Sequence, residues 1–531
     1  IMKYLIYSIV FINWIYAQQN TYFNILPDLG ALENKSIFKA VTSDNKFIYT
    51  LGSKLTAQDS NRRNQVIDIQ YNAFDYNGVL RNSKIIQFTG LKPYIQKNFP
   101  FIKMNDSLYF YILYLEDRQK IWTDFEALIL NIKNGKVEKH LGVPRPFPGD
   151  YDFNFYSNTS FVNEKLNLLF KTYYDQKVEY FIYTFNDDLS INKIRKLSNI
   201  NDNITFRWLS NDNANSYELV GEVNQRINNV ATGKTNLFYI KLDSNLNLVK
   251  RNDYTGSFNI GVGTATTYTI IRNEDRSFVI SANDWVYTPT GFYGKPITLK
   301  FSPEFDTLIW KRYMSQKFDQ PERQRTWINF NDKMKDNSGY ITCGDQYDQR
   351  QDSSDNYAIL YKVSEQGDSL WFKKYLPLAW DKYRAIGMNM AQVHVTDYNS
   401  IVFCGSVGDR FEQNTRAWLL HLDSGGCLVP GCNEVVSTKD INHESNQNFK
   451  IYPNPVVSSH LNIACFGHER MEINLELLSL SGQIIRETKF KSEQGLQIQL
   501  EIPFEIPNGE YLLRFTNGSS AESKNITILR K

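Results

Sequence analysis

The six histidines have the widest chemical range of any side chain in this sequence, and their spacing forms no local catalytic or metal-binding motif. They stand at positions 140, 394, 421, 443, 460 and 468. The sequence also lacks the His-Glu-x-x-His pair of zinc hydrolases, the Gly-x-Ser-x-Gly turn of serine hydrolases and the full Gly-x-x-x-x-Gly-Lys-Ser/Thr phosphate loop. These absences favour a binding protein over an enzyme. An enzyme stays open, because residues from distant segments can still meet in one site.

A short acidic stretch is the strongest candidate for metal binding. It contains Asp345, Asp348, Asp352 and Asp355. Hard cations such as calcium bind clustered carboxylates. The spacing here is wide and Arg350 lies among the acidic residues, so a solvated loop fits the pattern better. We therefore expect no metal and no cofactor, with calcium at this loop as the alternative.

Tryptophan, tyrosine, phenylalanine and arginine residues in several polar stretches suit molecular recognition. Rigid aromatic faces bury area at low entropic cost, and arginine adds directed hydrogen-bond donors. The alternative is that these rings only pack against their own loops. The predicted ligand-binding residues are Trp122, Arg145, Trp285, Tyr287, Arg323, Arg325, Trp327, Tyr347, Trp380, Tyr383, Arg384, Arg410 and Phe411.

A repeat positions these stretches. Alternating strand pairs with a polar turn recur with turns near residues 75, 133, 186, 243, 302, 364 and 423, at successive gaps of 58, 53, 57, 59, 62 and 59 residues. A second strand pair precedes each of them, so each unit supplies four antiparallel strands. This pattern is typical of a β-propeller, and it predicts an all-β chain with seven blades. A pair of β-sandwiches is the alternative, although it would not impose one period from end to end.

Strand order decides which loops share a face. The turns between first and second strands and between third and fourth strands emerge on one face, and they are short throughout. The remaining loops are long, and they carry the predicted ligand-binding residues on the opposite face, called here the long-loop face. The last repeat lacks an outer strand, so we expect residues 22–26 to pair there and close the ring.

The first 17 residues have the layout of a secretory signal peptide. Lys3 precedes an apolar run over residues 4–15, and Ala17 ends the segment. The run is too short to span a bilayer comfortably, and a buried N-terminal strand is the alternative. No later run of about 18 apolar residues follows, so we expect no transmembrane segment in the mature form.

The net charge limits the classes of partner that this protein could bind, and the cysteines indicate the redox state of its compartment. With 59 basic and 57 acidic residues the net charge is +2, which disfavours nucleic acid and anionic membranes as partners. Of five cysteines, Cys427 and Cys432 flank a Pro-Gly turn and are predicted to form a small disulfide in an oxidising compartment. Cys343, Cys404 and Cys465 lie in apolar patterns and are expected to be buried.

The chain changes character near its end. Residues 433–448 are polar and aperiodic, which predicts a flexible linker. The segment "NFKIYPNPV" then introduces short strands that continue to residue 531 and predict a small immunoglobulin-like β-sandwich. Because its two prolines fix extended geometry, we expect the segment to keep the sandwich separate from the propeller.

The terminal module contains a set of short elements in a fixed order: Tyr452, Pro453, Asn454, Pro455, Gly482, Gly509, Tyr511 and Lys531. With these elements it resembles the C-terminal sorting domain of type IX secretion cargo in Bacteroidota. The resemblance implies recognition by the outer-membrane translocon, often followed by cleavage near the linker, and a location outside the cell or on its surface.

The sequence thus predicts a signal peptide (1–17), a propeller (18–432), a linker (433–448) and a sorting domain (449–531). The leading hypothesis is an exported binding module that takes a glycan or a surface protein on its long-loop face. One alternative is a polysaccharide-active hydrolase or lyase with its site on the propeller face. Another is a structural protein of the cell surface or matrix that serves adhesion.

Overall fold

The described part of the chain is built from β-strands alone, as the alternating pattern predicts. The computed structural model describes residues 22–29, 35–58, 65–88, 91–95, 99–117, 123–146, 152–155, 161–162, 165–174, 177–197, 204–213, 216–227, 230–254, 269–288, 291–314, 324–349, 354–376, 388–408, 415–428, 449–465, 471–479, 483–492, 496–516 and 521–530. The predicted signal peptide and linker lie outside these residues. Within them, no helix is long and apolar enough to cross a membrane.

Seven antiparallel sheets, the blades, follow one another along the described chain, starting after β1 (Phe23–Ile25). Blade 1 contains β2 (Ser36–Ser43), β3 (Phe47–Gln58), β4 (Gln65–Asp75) and β5 (Leu80–Ile86). Blade 2 contains β6 (Leu91–Ile95), β7 (Ile102–Lys103), β8 (Leu108–Asp117), β9 (Thr123–Asn131) and β10 (Lys136–Val143). Blade 3 contains β11 (Asp152–Phe155), β12 (Phe161–Val162), β13 (Lys165–Tyr174), β14 (Lys177–Asn186) and β15 (Ile191–Leu197).

The next three blades repeat the order of four strands from the channel outwards. Blade 4 contains β16 (Ile204–Asn213), β17 (Ser216–Ile227), β18 (Val230–Asp243) and β19 (Leu248–Tyr254). Blade 5 contains β20 (Thr269–Arg272), β21 (Phe278–Thr288), β22 (Gly291–Phe301) and β23 (Leu308–Tyr313). Blade 6 contains β24 (Gln324–Lys333), β25 (Tyr340–Gln349), β26 (Ser354–Val363) and β27 (Ser369–Tyr375).

Blade 7 joins the two ends of the propeller chain. It contains β28 (Met388–Val395), β29 (Ile401–Gly408) and β30 (Thr415–Leu422), and β1 is its outer strand. The antiparallel register places Asn24 opposite Leu420. The Asn24 side chain accepts a hydrogen bond of 2.5 Å from the indole Nε1 of the fully buried Trp418. Pairing of this kind removes two open sheet edges, which would otherwise invite association with other chains.

The turns between third and fourth strands explain the regular spacing. In each blade one turn residue has a left-handed backbone conformation, at positions 78, 135, 189, 246, 305, 367 and 426, so the gaps are 57, 54, 57, 59, 62 and 59 residues. An aspartate often fixes the turn through its carboxylate, as Asp423 does for the amides of Gly425 and Cys427, at 2.9 and 2.6 Å. Such Asx turns are a local property of sequence, so their spacing can be read from the chain.

Neighbouring blades bury aromatic rings against each other. Tyr71 of blade 1 is fully buried, and its hydroxyl donates to the carbonyl of Ile132 in a turn of blade 2. In the next pair, Phe125 meets Phe170 edge-on with ring centroids 5.3 Å apart. Edge-to-face pairs stabilise beyond the apolar area that they bury, which accounts for the aromatic richness of the chain.

The C-terminal domain is a β-sandwich of two sheets. The first sheet contains β31 (Phe449–Tyr452), β32 (His460–Cys465) and β35 (Gln497–Glu501). The second contains β33 (Met471–Ser479), β34 (Ile484–Ser492), β36 (Gly509–Thr516) and β37 (Ala521–Ile528). An apolar core fills the space between them, with Leu461, Leu475 and Leu513 almost fully buried.

The sandwich packs against the propeller, and the expectation that the prolines keep it separate is wrong. β35 pairs in parallel with β27 at the position of Tyr375 and Gln497, so one sheet continues from blade 6 into the sandwich. Tyr357 and Leu376 of the propeller belong to the same apolar cluster as the sandwich core. Prolines restrict only their own backbone, and here buried side chains further along the chain decide the domain contact.

The cysteines fall into two groups. Cys427 is disulfide-bonded, and its predicted partner Cys432 lies outside the described residues. Cys343, Cys404 and Cys465 are buried thiols that take part in no disulfide. Burial raises the pKa of Cys404 and of Cys465 well above that of a free thiol, so both behave as small apolar residues.

Candidate functional site

The channel between the innermost strands contains a cavity of about 520 Å³. Residues of β2, β7, β16, β20, β24 and β28 line it, so six blades contribute. Ser43, Arg272 and His394 stand at or next to the ends of their strands, where the first-to-second turns begin. The cavity therefore lies at the short-turn end of the channel. Its volume falls within the usual range for small-ligand sites.

Aromatic rings form one part of the cavity wall. Phe101, Tyr109, Trp208 and Phe330 each contribute, and all four are more than nine-tenths buried. Trp208 is held by an edge-on contact with Phe278, with ring centroids 5.4 Å apart. Rings fixed in this way give the cavity a rigid apolar wall at little entropic cost.

Charged side chains form another part of the wall: Lys103, Arg272, Asp332, Lys335 and Asp397. Arg272 is engaged within the fold, because its guanidinium lies 3.0 Å from a carboxylate oxygen of the buried Glu218. Lys103 forms an exposed ion pair with Asp106 at 3.0 Å. Lys335 is exposed at the cavity edge. The site thus combines cations that water can reach with nearby carboxylates.

Three polar groups from three blades meet in this cavity. His394 Nε2 lies 3.1 Å from Ser43 Oγ, and His394 Nδ1 lies 3.6 Å from Asp332 Oδ2. Burial lowers the pKa of His394, which the nearby Asp332 carboxylate opposes, so the imidazole is neutral near pH 7. The same Asp332 oxygen accepts the backbone N–H of Val395 at 2.7 Å. The arrangement links adjacent blades and also places a hydroxyl beside a neutral base.

Side chains tie the innermost strands to one another, because these strands have no ladder partner on the channel side. Gln392 accepts the backbone N–H of Val41 at 2.8 Å, which joins blade 7 to blade 1. Asp345 accepts the N–H of Met390 and the side-chain N–H of Asn329, both at 2.7 Å. Buried backbone groups are thereby satisfied, and the inner ring is held in one geometry.

The acidic stretch does not gather its carboxylates in the described residues. Asp345 is buried in the link just described. Asp348 and Asp355 pair across β25 and β26, with side chains outside the described set. Asp352 also lies outside it. Among the described residues, no group of three or more potential metal ligands occurs.

Most of the predicted ligand-binding residues have side chains outside the described set: Trp122, Tyr287, Arg323, Arg325, Trp380, Tyr383, Arg384, Arg410 and Phe411. The four described ones are Arg145, Trp285, Trp327 and Tyr347, and none of the four lines the cavity. Trp285 is only 3% exposed, so its ring packs within the blade and offers no free surface. Trp327 and Tyr347 are partly exposed on paired strands of blade 6.

The residues that carry the terminal resemblance have structural roles where they are described. The side-chain amide of Asn454 forms two hydrogen bonds with β37. Its Nδ2 donates to Asn525 O at 3.0 Å, and its Oδ1 accepts the N–H of Thr527 at 2.9 Å. The Tyr511 hydroxyl donates to Pro507 O at 2.9 Å. Gly509 pairs with Ile528 in the β36–β37 ladder. Tyr452, Pro453 and Pro455 are at least partly exposed beside Asn454, and Gly482 and Lys531 lie outside the described residues.

No local motif in the sequence marks Ser43, Asp332 or Trp208 as functional. A weak signal exists, because His394 and Asp332 each stand two residues before a first-to-second turn, at equivalent places in blades 7 and 6. The equivalence of His394 and Asp332 becomes visible only when the repeats are aligned with one another. The approach of Ser43 to His394, between blades 1 and 7, depends on the closed ring.

Comparison with known proteins gives one sequence match and several fold likenesses. No curated protein sequence matches the chain. Solved structures with a similar fold include the Dos1 propeller (TM-score 0.38, 10% identity, 76% of this chain and 94% of that one). The polysaccharide lyase Uly1 has a TM-score of 0.39 and 8% identity, over 73% of this chain and 90% of that one. The β-propeller domain of the Trilobed protease from Pyrococcus furiosus has a TM-score of 0.29 and 11% identity, over 80% of this chain and 95% of that one.

The C-terminal match is specific in position as well as in sequence. Residues 450–529 match the family model of the secretion system C-terminal sorting domain. These residues coincide with the β-sandwich and include the Asn454 contact to β37. The chain is therefore a type IX secretion cargo, exported to the cell surface or secreted, in which a C-terminal sorting domain follows a β-propeller.

Proposed function

We propose that this exported propeller binds the end of a saccharide chain in its channel cavity. A sugar ring has an apolar C–H face and a rim of hydroxyl groups, so it needs both flat apolar surface and directed polar partners. The observation that carries the proposal is the meeting of both kinds of group in one cavity of about 520 Å³, where Trp208 and Phe330 face the same space as Lys335 and His394. A folded protein is too large for this space, which favours a glycan over a protein as the ligand.

The rest of the domain plan supports a role outside the cell. We propose that residues 1–17 act as a signal peptide and that residues 433–448 link the propeller to the sorting domain. The cavity would then be filled from the medium or the cell surface. None of the described lining residues belongs to the sorting domain.

Replacing Lys335 by alanine or His394 by glutamine is expected to weaken saccharide binding by at least about tenfold, since each removes a hydrogen-bonding group from the site. The measurement is isothermal titration calorimetry of the full chain against a panel of oligosaccharides. Lys133→Ala is the matched control, because Lys133 is exposed on a turn of the same face and does not line the cavity.

Two outcomes would count against the cavity. Wild-type affinity in both variants, or no binding to any oligosaccharide, would overturn the proposal. The long-loop face is the alternative surface, tested in parallel with Trp122→Ala and Trp380→Ala. Loss of binding in those variants alone would move the site to that face.

A second candidate function is hydrolysis of an acyl or ester bond, favoured by the approach of Ser43 Oγ to the neutral His394 imidazole. In such a reaction Oγ attacks the carbonyl carbon while Nε2 takes the hydroxyl proton, then returns it to the leaving group. Water, activated by the same nitrogen, cleaves the acyl-serine and releases the acid. We rank this second because 3.6 Å between His394 Nδ1 and Asp332 Oδ2 exceeds hydrogen-bond range.

The hydrolase candidate predicts that the full chain cleaves chromogenic esters and that Ser43→Ala reduces the rate by at least about a thousandfold. Ser424→Ala is the control, because Ser424 is an exposed serine on the same face. Equal rates in wild type and Ser43→Ala would exclude the mechanism. Saccharide binding without turnover would leave the binding function standing alone.

A further inference from the structure

The sorting domain faces the propeller with three buried amide side chains. Asn462, Gln497 and Gln499 are at most 1% exposed. They project from the neighbouring strands β32 and β35, and Gln499 Nε2 donates to Asn462 Oδ1 at 3.0 Å. A buried amide carries both donors and an acceptor, so its burial is favourable only when matching partners are in place.

The partners of two of these amides are backbone groups at the end of blade 7. Gln497 donates to the Gly426 carbonyl at 2.7 Å and accepts the N–H of Leu428. Asn462 donates to the Leu428 carbonyl at 3.3 Å. Gly426 is fixed by its own turn, with φ at +71°, and its carbonyl also accepts the Tyr375 hydroxyl at 2.7 Å.

The remaining partners belong to the opposite end of the propeller chain. Gln499 accepts the backbone N–H of Asn24 at 3.1 Å, and Asn462 donates to the carbonyl of Tyr22 at 3.2 Å. These groups lie on or beside β1, the strand that closes the ring. Residues 22–25 and 426–428, called here the closure seam, are about 400 residues apart in the chain and meet only when the propeller is complete.

We infer that the sorting domain binds the closure seam itself, so that it docks on the propeller only when the ring is complete. On an open ring Gln499 loses the N–H of Asn24 and Asn462 loses the carbonyl of Tyr22. The apolar contact with Leu376 also loses its support from Asn24, whose side chain donates to Leu376 O at 2.8 Å. The domain would then not be seated. Export would in this way be coupled to folding of the cargo.

Coupling of this kind is reciprocal. If the closed ring favours seating, then seating must favour the closed ring by the same factor. A substitution on either side of the contact should therefore loosen both sides. If the sorting domain were only a neighbour of the propeller, a substitution in one of them would not loosen the other.

The test is hydrogen–deuterium exchange of the full chain, followed in peptides covering residues 22–29 and 496–501. Gln497→Leu and Gln499→Leu, in the sorting domain, are expected to raise exchange of the β1 peptide by about tenfold or more. Asn24→Ala, in the propeller, should raise exchange of the β35 peptide similarly. Gln483→Leu is the matched control, since Gln483 is exposed in the same domain.

Asn24→Ala is the variant at risk of failing to fold. If it does not fold, the test rests on Gln497→Leu and Gln499→Leu. Thermal unfolding of each variant establishes that it is folded. Exchange that rises only in the mutated domain, with the other peptide within twofold of wild type, would overturn the inference. A rise in both peptides in Gln483→Leu would also overturn it, because the effect would then not depend on the seam.

Discussion

Removing residues 449–531 is expected to abolish export and, in the same step, to destabilise the closed propeller. Export should fail because the sorting domain is the part of the chain that marks it as type IX cargo. The measurement is the amount of protein in the medium and on the cell surface relative to the periplasm, in a host with this secretion system. The truncated chain should accumulate in the periplasm.

The stability effect follows from the contact with the closure seam. The truncation removes buried hydrogen bonds to Gly426, Leu428, Asn24 and Tyr22. With a net value near 1 kcal/mol for each of these four bonds, the free energy of unfolding of the propeller should fall by about 4 kcal/mol. The sequence alone predicts a sandwich separate from the propeller, and the packed interface overturns that prediction.

Val457→Ala is a suitable control for both effects, because Val457 lies in the same domain with 64% of its surface exposed. This variant should be exported and should unfold like the wild type. Efficient release of the truncated chain into the medium would refute the role of the domain in export. An unchanged unfolding midpoint of the truncated propeller would refute its role at the seam.

Replacing Trp418 by alanine is expected to lower the free energy of unfolding by about 4 kcal/mol, within the range for truncating a large buried aromatic side chain. Trp418 is fully buried on β30, beside Phe403 at a centroid distance of 6.2 Å. Its indole N–H also satisfies the buried Asn24 side chain, which in turn supports β1. The measurement is equilibrium unfolding in urea.

Trp418→Phe separates the two contributions of this residue. The variant keeps much of the ring volume and removes the N–H, so it should lower the free energy of unfolding by about 1 to 3 kcal/mol through the unsatisfied Asn24 oxygen. A loss below about 1 kcal/mol in Trp418→Ala would mean that the closure strand does not depend on this contact.

The two features that bear on function lie in different parts of the propeller. The cavity is at the short-turn end of the channel, and the sorting domain packs at the rim, on β27 and beside β1. The proposed ligand cavity and the contact of the sorting domain therefore lie on separate surfaces. The cavity can be probed in the full chain before any removal of the sorting domain.

Local features of the sequence predicted the blade pattern well. The turn expected near residue 364 is a turn, with Gly367 in the left-handed conformation and Ser364 accepting the Gly367 N–H at 3.0 Å. The alternation of apolar residues and the Asx-type turns depend on residues that are close together in the chain. Both can therefore be identified from the sequence without a known fold. The terminal sorting domain was recognised on the same basis, from short motifs in order.

The sequence by itself determined the all-β class, the repeating strand unit and the sorting domain. Only the tertiary structure decided what meets in the channel and at the seam: Ser43 and His394 are 351 residues apart in sequence, and Asn24 and Gln499 are 475 apart. The physical reason is that turns depend on contacts within a few residues, and most strands pair with the next strand along the chain. A site built from the ends of strands in different blades exists only after the ring closes, because closure alone brings those side chains within bonding distance.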